Sequence, residues 1–401
     1  MLMKKNTLAL SLVFCLFFLW AISSNLLPTM IRQLMKTCEL NTFEASFTES
    51  AYWLAYFICP IPIAMYMRKY SYKSGIVFGL LLAAFGGLLF FPAAMIRQYW
   101  FYLSVFFVIA TGMCFLETAA NPYVTVLGDA ATAPRRLNLA QSFNGLGAFF
   151  AAMFLSKAVL TTGETTEGGL PADSVVYIAL AGLLICFAML FLFVKLPKIQ
   201  ESDSPDKKLI DFSVLRHSHL RWGVIAQFFY NGGQTAINSL FLVYCCTYLG
   251  LSEQTATTFF GFYMLAFLAG RWIGTMLMGY FRPQHMLCTY ALANILLCAV
   301  IISFGGMVGL YAMLGVSFFM SIMYPTQFSL ALSDLGDQTK SGSAFLVMAI
   351  VGNACLPQLT AYVMHTHAAV YQVAYVIPLI CFAFCAYYGW RGHRVKGMRN
   401  L

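Results

Sequence analysis

One carboxyl group sets the chemistry of this chain. Glu117 lies in the stretch CFLETAANPYVTVLG, 114–128, inside an apolar run that begins near Tyr99. An acid at mid-membrane depth costs about 2.5–3.5 kcal/mol on insertion scales, so it persists where it faces a protected cavity and binds a proton or a polar solute. The bland alternative is a neutral Glu bonded to a neighbouring helix as structural glue. Four residues on, Asn121 precedes Pro122, where the missing backbone N–H bends the helix. A second group of residues is uncharged. Gln227, Asn231, Gln234 and Asn238 are spaced four, three and four, which places their amides on one helix face. Asn138, Gln141 and Asn144 follow each other at three-residue intervals on another. Interhelical hydrogen bonding accounts for one or two such amides; two stripes point to a cavity lined for a neutral, hydroxyl-rich solute. Glu49, near the outer end of the second apolar segment, is either a snorkelling acid or a second proton site. Arg271, in AGRWIG, is expected at the cytoplasmic edge as an anchor or a member of a gate network. Tyr324, beside Pro325, is a cavity aromatic or a core filler.

The elements that must hold these groups are membrane helices. Apolar residues make up 60% of the 401 and charged residues only 10%, where soluble domains carry about a quarter. Mean hydropathy is +0.75. Apolar runs long enough to span a bilayer recur from end to end: 9–36, 43–69, 73–94, 98–127, 136–160 and 174–196, then 221–249, 254–281, 284–305, 308–334, 340–365 and 370–391. The first run is not a signal peptide, because a second apolar segment follows within about a helix length. The reading is an all-α polytopic membrane protein of twelve transmembrane helices. Residues 1–196 form an N-terminal six-helix bundle, 197–220 a charged cytoplasmic linker, and 221–401 a C-terminal six-helix bundle.

The net charge of +9 does not indicate nucleic acid. With the first tail in the cytoplasm, all but four of the 24 Lys and Arg fall on the inner side, the exceptions being Arg32, Lys36, Arg97 and Lys157. That asymmetry is the positive-inside rule and puts both termini in the cytoplasm. The twelve cysteines sit almost wholly in apolar segments and read as packing. No metal or cofactor spacing occurs, and no cluster of His, Asp or Cys suggests an enzyme. Pro60 and Pro62, in Cys-Pro-Ile-Pro, are expected to open the second segment. Pro122 and Pro325 are 203 residues apart, each kinked segment ends in Leu-Gly-Asp, and each is followed by a basic residue opening the next (Arg135/Arg136; Lys340). Parallel six-helix repeats of this kind build the major facilitator fold, with substrate bound between the halves.

The motifs LFFLWAISSN, FICPIPI, LETAANPYVTVLG, RLNLAQSFN, QTA followed by GRWIGT, and YPTQFSL resemble the bacterial L-fucose:proton symporter family, with its glucose/galactose permeases. The match runs from about Ser11 to Ile380. The resemblance implies a monomeric inner-membrane symporter that imports a neutral hexose or deoxyhexose with protons by alternating access. It carries the family's membrane acid onto Glu117, sugar-side amides onto Gln141 and Asn144, an asparagine of the first helix onto Asn25, and cavity aromatics onto Phe267 and Tyr324. Asn121, Gln227, Asn231, Gln234 and Asn238 complete the expected substrate site. One position departs from the family. Its first-helix aspartate, assigned to proton coupling, is Pro28 here, which cannot titrate. Glu49 stands where a compared member has glutamine, so the second acid is expected to have moved to Glu49. The alternatives are a single-acid symporter, an uncoupled sugar uniporter, or a facilitator of another small polar or amphipathic solute.

Overall fold

The computed structural model describes residues 2–26, 30, 34, 38–40, 42–151, 155, 172–194 and 211–395, and among them every regular element is helical. We number the α-helices in chain order: α1 Leu2–Asn25, α2 Thr42–Ile58, α3 Pro60–Lys69, α4 Tyr72–Ile96, α5 Tyr99–Val126, α6 Ala133–Phe150, α7 Ala172–Phe193, α8 Ser218–Val243, α9 Glu253–Leu277, α10 Pro283–Phe304, α11 Gly306–Met320, α12 Met323–Ala331, α13 Thr339–Met348, α14 Gly352–Thr366 and α15 Val376–Tyr387. Eight helical stretches among the described residues are long and apolar enough to cross a bilayer, and the bent pair around Cys59 makes a ninth. Residues 197–210 of the linker and Pro28 lie outside the described residues. So does the side chain of Glu49, although its backbone belongs to α2.

Pro60 and Pro325 divide their apolar segments, whereas α5 runs unbroken through Pro122. The second segment is two helices, α2 and α3, meeting at 43° with Pro60 opening the second. The tenth divides into α11 and α12 at Ser321–Ile322, one turn before Pro325 rather than at it. Proline lacks the N–H that would bond the carbonyl four residues back, so the ladder fails upstream. The eleventh segment, expected to be continuous over 340–365, is α13 and α14 joined by a tighter turn at Ala349–Val351. Serine side chains cap two entries: Ser71 Oγ accepts from the Ser74 amide at 3.1 Å, and Ser252 Oγ from that of Thr255 at 3.3 Å. All twelve cysteines are free thiols.

By contact, the chain forms two compact units. The first comprises Met1–Leu127, Phe143–Asp211 and Thr339–Met348; the second comprises Gly128–Ser142, Phe212–Gln338 and Ala349–Leu401. Each unit therefore includes a short segment from the other sequence half.

In the first unit α4 lies between α5 and α7. Small residues make that approach possible, as expected where lipid supplies no hydrophobic drive between helices. A Cβ on Gly112 would stand 2.5 Å from the Ala83 backbone nitrogen, and one on Gly79 would stand 2.6 Å from Phe115 Cβ. On the other side of α4, the rings of Phe90 and Tyr177 stack at 3.9 Å. Gly112→Leu drives a side chain into backbone, so we expect it to destabilise the unit by about 3 kcal/mol, read as a lowered melting temperature in detergent. A conservative change at lipid-facing Leu88, 43% exposed, is the control. In the second unit α8 is central, packed by α12, α14 and α15, while α10 pairs with α11 and α15.

Candidate substrate and proton site

In the first unit, Glu117 sits on the C-terminal half of α5, where every residue from Gly112 to Thr125 is buried. Its own exposure is 5%. The phenols of Tyr52 and Tyr56, on α2, lie within electrostatic range of its carboxyl. Their rings are one helical turn apart and stack at 5.6 Å. Tyr52 Oη donates to Ser24 Oγ at 3.2 Å, which ties α2 to the end of α1. The next residue, Asn25, is exposed. Its Nδ2 donates to the Ala21 carbonyl at 2.8 Å, which leaves its amide oxygen and its second N–H for a ligand. Asn121 is fully buried one turn below Glu117. Asn144, half-buried on α6, donates to the Phe17 carbonyl of α1 at 3.3 Å. Glu117 is therefore buried on α5 beside a wall of two α2 tyrosines, and α2 is tied in turn to α1. Sequence reading missed that wall, although AYWLAY spaces Tyr52 and Tyr56 by four residues just before Cys-Pro-Ile-Pro.

Pro122 leaves the Thr118 carbonyl without its helical donor. Ser343 Oγ of α13 supplies one at 3.1 Å. Three residues earlier on α13, Lys340 is 3% exposed. Its ammonium donates to the Met67 carbonyl in the last turn of α3 at 2.8 Å and lies 4.8 Å from the centre of the Tyr72 ring. The sequence reading placed Lys340 on the inner side as a basic residue opening its helix, where water would be its partner. The structure corrects this: a helix C-terminus, which favours cations, and an aromatic face take the place of water.

The second unit holds the other candidates. The four amides of α8 share one face but have different environments. Gln234 is half-buried and makes no hydrogen bond among the described residues. Asn231, 5% exposed, donates to the Gln227 carbonyl at 2.7 Å. Asn238 Oδ1 accepts from Tyr263 Oη of α9. Gln227 is fully buried, and neither of its amide atoms has a partner among the described residues. Such a group costs about 1–3 kcal/mol. Gln227→Met, of similar volume, is expected to raise the melting temperature. If uptake falls in that variant as stability rises, Gln227 finds its partner in another state of the cycle; unchanged uptake removes it from the site.

Tyr324 lies 6.3 Å from the Tyr230 ring and 6.0 Å from that of Phe328, centroid to centroid. Gln141, buried on α6, meets the neighbouring cation through its backbone: Arg271 Nη1 donates to the Gln141 carbonyl at 2.7 Å. Arg271 Nε donates to the Ser321 carbonyl at 2.9 Å. That carbonyl is the one whose helical donor Pro325 removes. The guanidinium also lies 4.4 Å from the centre of the Phe267 ring. Arg271 is thus not an edge anchor. It is 4% exposed, more than a turn inside α9, and joins α6, α9 and the α11–α12 break. At both Pro122, inside the continuous α5, and Pro325, just past the α11–α12 break, the vacated carbonyl is filled by a side chain from another helix.

Long apolar helices that carry buried ionisable and amide groups define a polytopic membrane transporter. A Major Facilitator Superfamily model matches residues 9–357. The L-fucose-proton symporter of Escherichia coli (strain K12) is 38% identical over 95% of this chain and 92% of that protein. A glucose/galactose transporter of Brucella abortus is 35% identical over 98% and 95%. Among solved structures, the transporter FucP in the outward conformation superposes with a TM-score of 0.86 at 36% identity, covering 97% of this chain and 99% of that one. The chain belongs to the Major Facilitator Superfamily and, within it, to the family of these fucose-proton symporters and glucose/galactose transporters.

Proposed function

We propose that this protein is a secondary active transporter importing a neutral hexose or deoxyhexose with protons, by alternating access of two six-helix halves in a bacterial inner membrane, both termini cytoplasmic. The observation that carries the reading is Glu117, a carboxyl buried beside tyrosines on a proline-containing helix, in a chain whose relatives are named for L-fucose, glucose and galactose. Desolvation penalises the carboxylate, so Glu117 takes a proton from the outer side before sugar binds. The neutral, occupied protein rocks inward and releases sugar and then the proton. Asn25, Asn121, Gln141, Asn144, Asn231 and Gln234 are the hydroxyl partners. Asn238 joins them when Tyr263 releases it, and Phe267 or Tyr324 offers a ring face.

The second acid is Glu49, on α2 with Tyr52 and Tyr56. Pro28 favours one other reading, sugar uniport without protons. The protein is reconstituted in vesicles and external pH is recorded on adding L-fucose, D-galactose, D-glucose, L-rhamnose and a non-sugar control. Alkalinisation with one sugar identifies the substrate and the coupling together. Tracer entry with no pH change establishes the uniporter and refutes symport. Alkalinisation that survives Glu49→Gln leaves Glu117 as the sole coupling acid.

A further inference from the structure

The start of α10 and the end of the last span enclose a cleft of about 400 Å³, lined among others by Arg282, Gln284, His285, Trp390, His393 and Arg394. Four of these six are basic or can become so, and neither Pro283–Phe304 nor Val376–Gly392 contains an Asp or Glu. The floor is tight: a Cβ on Gly389 would stand 2.8 Å from the Cys288 backbone nitrogen, so the two helices meet backbone to backbone beneath the basic groups. His393 is oriented by its Nδ1–H, which donates to the Tyr388 carbonyl at 3.1 Å. That leaves Nε2 to take a proton and meet a ligand. Burial first, and then the nearby Arg394 and His285, hold the His393 imidazolium below its ordinary pKa, so the ring charges when an anion enters the cleft beside it. Arg282 precedes the first turn of the 22-residue α10, whose N-terminal dipole also favours an anion. Trp390 is 59% exposed at the rim, the usual place of tryptophan at headgroup level. The proposed sugar and proton site includes none of these groups.

We propose that this cleft binds the phosphate of an anionic phospholipid headgroup in the cytoplasmic leaflet. The ligand chemistry is a phosphate ester held by two guanidiniums and an imidazolium. Lipid is its source because the inner-side Lys/Arg excess places this end of the helices at the anionic leaflet. The test uses the full-length protein in mixed micelles, with native mass spectrometry counting retained lipid. Phosphatidylglycerol is the probe, phosphatidylcholine the zwitterionic control and millimolar inorganic phosphate the soluble competitor. One phosphatidylglycerol is expected to be retained and not displaced by phosphate. Arg282→Gln with Arg394→Gln weakens retention about 25-fold, about five-fold for each charge, with the melting temperature unchanged as the check on folding. Equal retention of phosphatidylcholine, or equal retention by the double variant, overturns the proposal. Displacement by inorganic phosphate overturns the lipid assignment and makes the ligand a soluble phosphate.

Discussion

Glu117→Gln is expected to abolish sugar accumulation driven by a pH gradient while sparing the fold. Glutamine keeps the size and hydrogen-bonding shape of the protonated acid, so packing around α5 survives. It cannot release a proton, so the step that ties sugar to the gradient is lost. For one proton per sugar, a gradient of one pH unit supplies about 1.4 kcal/mol, enough for about ten-fold accumulation; in the variant the ratio falls to one. Equilibrative exchange of labelled sugar should continue, because the site is held in its neutral form. Tracer accumulation and counterflow in the same vesicles separate the two. Undiminished accumulation would show that Glu117 is a structural acid and end the proposed mechanism. The wall behind it predicts a milder effect for Tyr52→Phe, which removes the bond to Ser24 and leaves the carboxyl in place.

The second large effect is at Arg271. Its fork reaches two backbone carbonyls, those of Ser321 and Gln141, from one buried position. Lysine carries the same charge on a single nitrogen and lacks the planar donor geometry, so one carbonyl is left without a partner. An orphaned buried carbonyl costs about 1–3 kcal/mol, and the more strongly hydrated ammonium adds to the loss. Arg271→Lys should therefore lower the melting temperature by several degrees and slow uptake, because the break between α11 and α12 is no longer tied to α6 and α9. The counterpart in the other unit is gentler. Ser343→Ala removes one neutral hydrogen bond, to the Thr118 carbonyl, and costs about 1 kcal/mol. A wild-type melting curve for Arg271→Lys would show that the fork does not hold the break.

Much of this was legible in the sequence because its causes are local. Composition and run length establish a helical membrane protein, since a bilayer admits only backbones that satisfy their own hydrogen bonds. Pro60, Pro122 and Pro325 mark where helices lose a donor, whatever surrounds them. The four-three-four spacing of Gln227, Asn231, Gln234 and Asn238 puts them on one face through helix geometry alone. The motifs around Glu117 and Asn144 were enough to place the family.

Tertiary structure decided what spacing cannot. Proline announces an orphaned carbonyl but not the group that fills it. Arg271 is fifty residues from Ser321, and Ser343 is 225 from Thr118, so only packing brings them together. The same holds for charge. In sequence Arg271 and Lys340 are basic residues near the inner side, and both prove buried, because a carbonyl and an aromatic face replace their water. On α8 the periodicity made four amides equivalent; neighbours then engaged Asn238, enclosed Gln227 and left Gln234 available. Helix periodicity assigns a residue to a face, and the side chains opposite that face decide whether it is glue or a binding group.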